Sequence, residues 1–199
     1  SWLIVSLSLF INWFSRIDFF VFFANIVGFI MMSIYMFSPE NKLFPLLTNT
    51  ITTELFVMHI TLAFLAYTAF TLSFVFAVMY FIQYKYLKNK IGIHRLGRFG
   101  SLDELEKMSF FLIMIGVPLF LVSLIWGTIW GRITIEHFFY FDAKVITSVV
   151  VLIVYSVFLY IKIVKKETGT KLAYFNMIAF LLLLINVFLS RSFSKFHWW

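Results

Sequence analysis

Apolar runs of helical length recur along this 199-residue chain, separated by short stretches that hold most of its charge. A helix needs about 20 apolar residues to cross a bilayer, and by that yardstick six segments are predicted. Ser1 to Phe14 forms part of a first span, and a second runs from about Phe19 to Phe37, stopping before Ser38-Pro39-Glu40. Pro45 and the threonine-rich stretch Thr48 to Thr53 belong to a loop over 38–53. The third segment, Thr53 to Lys88, exceeds one bilayer thickness and should project beyond it. A loop over 89–106 follows, within which a fourth helix opens at Ser101. There Ser-Leu-Asp-Glu has capping-box spacing, so that Ser101 accepts from the third helical N–H and Glu104 reaches back. The fourth helix runs to about Gly131, with Gly116-Val117-Pro118 as an interior kink used for packing. The fifth spans about Asp142 to Val164 and the sixth about Lys171 to Ser190. A transmembrane barrel would instead alternate polar and apolar positions in strands of about 10 residues. The fold class is therefore all-α, a polytopic membrane helix bundle in one domain over 1–199.

Composition agrees: 62% of residues are hydrophobic and 22% aromatic, far outside the globular range. With no cysteine, disulfides, iron–sulfur clusters, thioether attachment of heme to this chain and thiolate zinc sites are excluded. The net charge of +7 does not call for nucleic acid, because the basic residues sort by loop. Arg16, Lys85, Lys88, Lys90, Arg95, Arg98, Lys107, Lys162, Lys165, Lys166 and Lys171 gather on one side, which the positive-inside rule makes cytoplasmic. Lys42, Arg132, Lys144, Arg191 and Lys195 fall on the other. The cytoplasmic loop combines Lys88, Lys90, His94, Arg95 and Arg98 with Gly92, Gly97 and Gly100. It reads as a docking site for a soluble partner or acidic headgroups, or as a topological signal on a flexible connector. Its glycines lack a strand-to-helix phosphate-binding pattern.

On the outer side the chemistry concentrates. Three of the four histidines, His59, His137 and His197, fall there, and a histidine beside lipid is costly unless paired, wet or bound. His59 lies one to two turns below the outer end of its helix and heads a stripe of small residues, Ala63, Ala66, Ser73 and Ala77, which admits another helix closely. Trp126 and Trp130, four residues apart, share a helix face. The outer segment over 132–141 contains His137-Phe138-Phe139-Tyr140-Phe141 and meets Asp142, and the outer C-terminus over 191–199 ends His197-Trp198-Trp199. Imidazole nitrogens among flat aromatic surfaces suit heme better than zinc, with Arg132, Lys144 or Arg191 near the propionates. Simpler roles stand beside this one: tryptophans anchor at interfaces without any cofactor, Asp142 is placed to cap a helix, His137 can be solvated, and His59 can be satisfied by a buried hydrogen bond to Thr or Asn.

The residues also carry a resemblance. Met58-His59-Ile60 through Ala66-Tyr67-Thr68-Ala69-Phe70 to Tyr80-Phe81-Ile82-Gln83-Tyr84-Lys85-Tyr86-Leu87-Lys88 resembles a helix of the cytochrome c assembly superfamily. Gly127-Thr128-Ile129-Trp130 through Asp142-Ala143-Lys144 is similar to its tryptophan-rich external motif. Ile135, Phe139 and Phe141 stand where heme-handling members have tryptophan, Glu136 replaces a glycine and Ala143 a proline. Those departures, with Ser194-Lys195-Phe196-His197-Trp198-Trp199 at the end, look most like the HemX-type branch. The resemblance implies about eight spans, two of them upstream of Ser1.

It further implies non-covalent heme b with His59 and His197 as axial ligands, and Trp126, Trp130, Phe139, Phe141 and Asp142 around it. By the same resemblance the protein sits in a bacterial cytoplasmic membrane and negatively controls glutamyl-tRNA reductase abundance; an outward-facing heme sensor coupled to a cytoplasmic loop on which that enzyme docks would join these roles. Two other roles remain open: an assembly factor that presents heme to apocytochrome, and a small transporter or structural subunit. The chain reads as a non-enzyme, since no nucleophile with a paired base appears.

Overall fold

In the computed structural model, residues 50–90, 101–134 and 142–192 are described, with isolated positions 6, 25 and 28. The first two predicted segments and the loop around His94 lie outside this set. Four helices make up the described part: α1 (Thr50–Lys88), α2 (Leu102–Thr134), α3 (Ala143–Ile163) and α4 (Thr170–Ser192). All four are long and apolar enough to cross a membrane. They correspond to the third to sixth predicted segments. At about 1.5 Å per residue, the 39 residues of α1 far exceed a hydrocarbon core about 30 Å thick, as the sequence suggested.

Local chemistry sets the helix ends. Glu104 N–H donates to Ser101 Oγ at 3.1 Å, and Ser101 N–H to Glu104 Oε2 at 2.8 Å. This completes the expected capping box, so α2 starts inside the loop predicted over 89–106. Asp142 caps α3 from extended backbone, accepting from Lys144 N–H at 2.8 Å. Four limits moved outward: α1 begins at Thr50 rather than Thr53, α2 continues past Gly131 to Thr134, and α4 runs from Thr170 to Ser192 rather than from Lys171 to Ser190, into the segment expected as outer C-terminus. Threonine and glycine are modest helix formers, but tertiary packing outweighs propensity of this size.

The helices alternate in direction, giving the described bundle two chemically distinct ends. Lys85, Lys88, Lys107, Lys162, Lys165, Lys166 and Lys171 mark the basic end. His59, Trp130, Arg132 and Asp142 mark the other, the histidine end. Helix α1 packs mainly on α2 and also on α4; α3 lies against α4 and α2. In the apolar window of α1, 61% of the residues are buried, against 22% in α3, which makes α1 the most buried and α3 the least buried of the four described helices. Between helices already in lipid the hydrophobic effect supplies little, so close packing and hydrogen bonds hold them.

Both are visible. The Phe70 ring stacks on Tyr155 at 4.0 Å and fits against Gly116, where a Cβ would stand 2.7 Å from the ring. That contact is the packing use expected of the Gly116-Val117-Pro118 break, and α2 is continuous through Pro118. Phe74 stacks on Phe180 at 4.3 Å. Ser73 Oγ donates to the Ser109 carbonyl at 2.8 Å, and Asn176 Nδ2 reaches Ser73 Oγ at 2.8 Å and Ser109 Oγ at 2.9 Å. One polar knot thus ties α1, α2 and α4. Nearer the histidine end, Asn186 Nδ2 donates to Thr147 Oγ1 at 2.9 Å and Ser148 Oγ at 3.1 Å.

At the basic end Glu106 does more than favour a helix start. Its carboxylate pairs with Lys162 and accepts from Gly169 N–H at 2.9 Å. Helix α2 is thereby fastened to the end of α3 and to the turn before α4. Gly169 adopts φ +86° in that turn, a conformation that favours a residue without Cβ.

Candidate functional site

The α1–α2 seam is built on a shared period. His59, Ala66, Ser73 and Tyr80 follow one another at heptad spacing on α1, as do Ser109, Gly116, Ser123 and Trp130 on α2. Antiparallel packing sets Ser73 opposite Ser109 and, two heptads along each helix, His59 opposite Ser123. Small residues at these positions bring the two backbones close.

His59 sits half-buried in this seam. Its Nδ1 lies 2.7 Å from the Ser123 carbonyl oxygen and 3.1 Å from Ser123 Oγ, while Ser123 Oγ lies 3.0 Å from the His59 carbonyl oxygen, to which it donates. Gly127, one turn beyond Ser123, leaves the space that the ring occupies. A Cβ there would stand 2.6 Å from Cε1, 2.7 Å from Nδ1 and 3.2 Å from Nε2, too close for real carbon contacts. A buried hydrogen bond, the simpler role of His59, is therefore present, but its partner is Ser123 rather than the expected Thr or Asn, and it engages Nδ1. Among the described residues, no hydrogen bond to Nε2 accompanies it.

Three other predicted site residues lie at this end. Trp130 is 2% exposed, and its ring packs on Phe56 with centroids 4.9 Å apart. Trp126, one turn back on α2, is half-buried. Asp142 stands at the start of α3 as its cap. The remaining predicted residues, His197, Phe139 and Phe141, lie outside the described residues, as does His137. Their placement relative to His59 is accordingly not part of this geometry.

The described donors suit one kind of ligation. Among the described residues no group of three His, Asp or Glu side chains converges as a metal cage requires. His59 offers instead a single imidazole at the end of the bundle that also carries Trp126 and Trp130, a donor type that heme accepts. Ser123 and Gly127 were not among the expected site residues. The spacing of Ser109, Gly116 and Ser123 on α2 was the signal for Ser123, but it becomes specific only once the matching heptad on α1 is set against it; Gly127, one turn on, lies off that heptad.

Comparison with known proteins follows the same lines. The family model described as cytochrome C assembly protein matches residues 1–197. Protein HemX of Bacillus subtilis (strain 168) is 46% identical over 198 residues, covering 100% of this chain and 72% of that protein. Protein HemX of Brevibacillus brevis is 42% identical over 200 residues, covering 100% of this chain and 73% of the relative. Cytochrome c biogenesis protein CcsA of Guillardia theta is 21% identical over 161 residues, 71% of this chain and 54% of that protein. No solved structure matches the chain.

Proposed function

The chain belongs to the cytochrome c assembly protein family, and from that membership we propose that it is a heme-binding membrane regulator of tetrapyrrole synthesis. It lowers the abundance of glutamyl-tRNA reductase when heme is present. Similarity along the whole chain to two HemX proteins supports this branch of the family over others. The observation that carries heme binding is His59 itself: an imidazole inside an apolar spanning helix, seated in a space that a side chain at Gly127 would fill. A polar group is retained at such a position where it has a partner or a task.

Non-covalent heme b would be held by His59 and His197 as axial ligands on the outer side of a bacterial cytoplasmic membrane, with Trp126, Trp130, Phe139 and Phe141 as apolar wall and Asp142 beside it. Bound heme supplies a ligand whose occupancy follows its concentration. What the protein contributes is a nitrogen donor held in place, and a continuous helix, α1, from His59 to the basic end. The loop over 89–106, with Lys90, His94, Arg95 and Arg98, is the surface assigned to glutamyl-tRNA reductase. Heme shifts this system only if it binds one helix arrangement better than another.

A second role keeps some support from the similarity to a cytochrome c biogenesis protein: presenting heme to apocytochrome. One genetic experiment separates the two. Deletion of the gene is expected to raise glutamyl-tRNA reductase, measured by immunoblot, and to leave holocytochrome c unchanged; a His59→Ala copy should fail to restore the low level. Unchanged reductase with loss of holocytochrome c would replace the regulator with the assembly factor.

A further inference from the structure

The contacts of His59 are specific about its protons. A backbone carbonyl oxygen can only accept, so at 2.7 Å the Ser123 carbonyl requires a proton on Nδ1. Ser123 Oγ agrees with this assignment. Its own proton goes to the His59 carbonyl at 3.0 Å, which leaves an oxygen lone pair facing Nδ1 at 3.1 Å. With Nδ1 bare, the Ser123 carbonyl oxygen would confront a nitrogen lone pair at 2.7 Å inside the seam, an unfavourable arrangement in a low-dielectric environment. In neutral imidazole a proton on Nδ1 leaves the lone pair on Nε2.

We propose that Ser123 is the positioning residue of the His59 site, fixing the Nδ1–H tautomer so that Nε2 is the ligating nitrogen, with Gly127 supplying the space in which that ring orientation fits. Metal-bound histidines are commonly held this way, by a carbonyl or carboxylate on the nitrogen that does not ligate. Here the carbonyl comes from the helix that α1 packs against. Ring orientation and the α1–α2 register are therefore one variable: a slide or roll of α2 would break the Nδ1 contact and turn Nε2. The identity of the ligand at Nε2 rests on the heme-binding role proposed above, but the tautomer does not.

The test begins without heme. Nitrogen-15 spectra of the full chain, labelled at histidine and reconstituted in lipid nanodiscs, distinguish protonated from bare ring nitrogens. A His59→Gln spectrum identifies the His59 signals among the four histidines. Above the titration of the ring, the expected pattern is protonated Nδ1 and bare Nε2. A protonated Nε2 with bare Nδ1 would overturn the proposal whatever the protein binds. Gly127→Ala should then mix or reverse the pattern and weaken hemin binding by about 10–100-fold. Ser123→Ala, which retains the carbonyl, should keep the Nδ1–H pattern. If Gly127→Ala leaves both pattern and affinity unchanged, the assignment to Gly127 fails. If it does not fold, the wild-type spectrum still decides the tautomer. A wild-type chain with the expected tautomer but no hemin binding upholds Ser123 as the residue that orients His59 and removes the heme-binding role alone.

Discussion

Replacing both His59 and His197 with alanine is expected to abolish the six-coordinate heme spectrum of the purified protein and to weaken hemin binding by about 100-fold or more, which is about 2.7 kcal/mol. Two imidazoles give heme iron a low-spin environment, and losing either one leaves a position to water or to nothing. Each single variant should therefore shift the spectrum toward the high-spin form, with the double variant losing affinity as well. His137→Ala is the internal comparison and should bind as wild type does. Absorption titration in detergent reads all four proteins. A double variant with wild-type spectrum and affinity would remove these residues from any heme site.

The second large effect belongs to the basic end. Lys162→Ala should destabilise the bundle by about 3 kcal/mol, the low end for breaking a buried pair. The cause is the partner left behind: the Glu106 carboxylate, 15% exposed, would lose Lys162 and keep the Gly169 N–H among the described residues. Lys162 is 20% exposed, so residual solvent softens the cost. Glu106→Gln/Lys162→Met removes both charges while keeping an amide oxygen for Gly169 N–H, and it should regain most of the stability. Thermal unfolding in detergent compares the three. Equal losses in the single and double variants would show that the ion pair does not fasten these helices.

What could be read from the sequence divides by range. Capping at Ser101 and Asp142 was legible because the residues that satisfy one another stand two or three positions apart. The spans of α1 to α4 were legible because lipid imposes length and apolarity on each helix separately. The Glu106–Lys162 pair was not, since the residues lie on different helices and nothing local in the sequence links them. Asn176 was missed for a similar reason: its partners, Ser73 and Ser109, come from two other helices. His59 falls between these cases. Its stripe of small residues announced a close neighbour, but only the structure shows which carbonyl and which glycine face the ring.

These features suit a regulator. Helix α1 runs unbroken from the His59 seat to Lys85 and Lys88, and the α1–α2 seam depends on a register that both the Ser73–Ser109 and His59–Ser123 contacts share. Holding His59 from the ligand side would favour one register over others, and the Glu106–Lys162 fastening ties the far end of α2 to α3 and α4. The step on which everything else depends is binding. Titrating the purified wild-type protein with hemin in lipid nanodiscs, and following absorption together with electron paramagnetic resonance, tests it most directly. The account predicts saturable binding of one heme per chain with a low-spin, bis-imidazole signal. Non-saturable uptake, or a signal that empty nanodiscs reproduce, would contradict it.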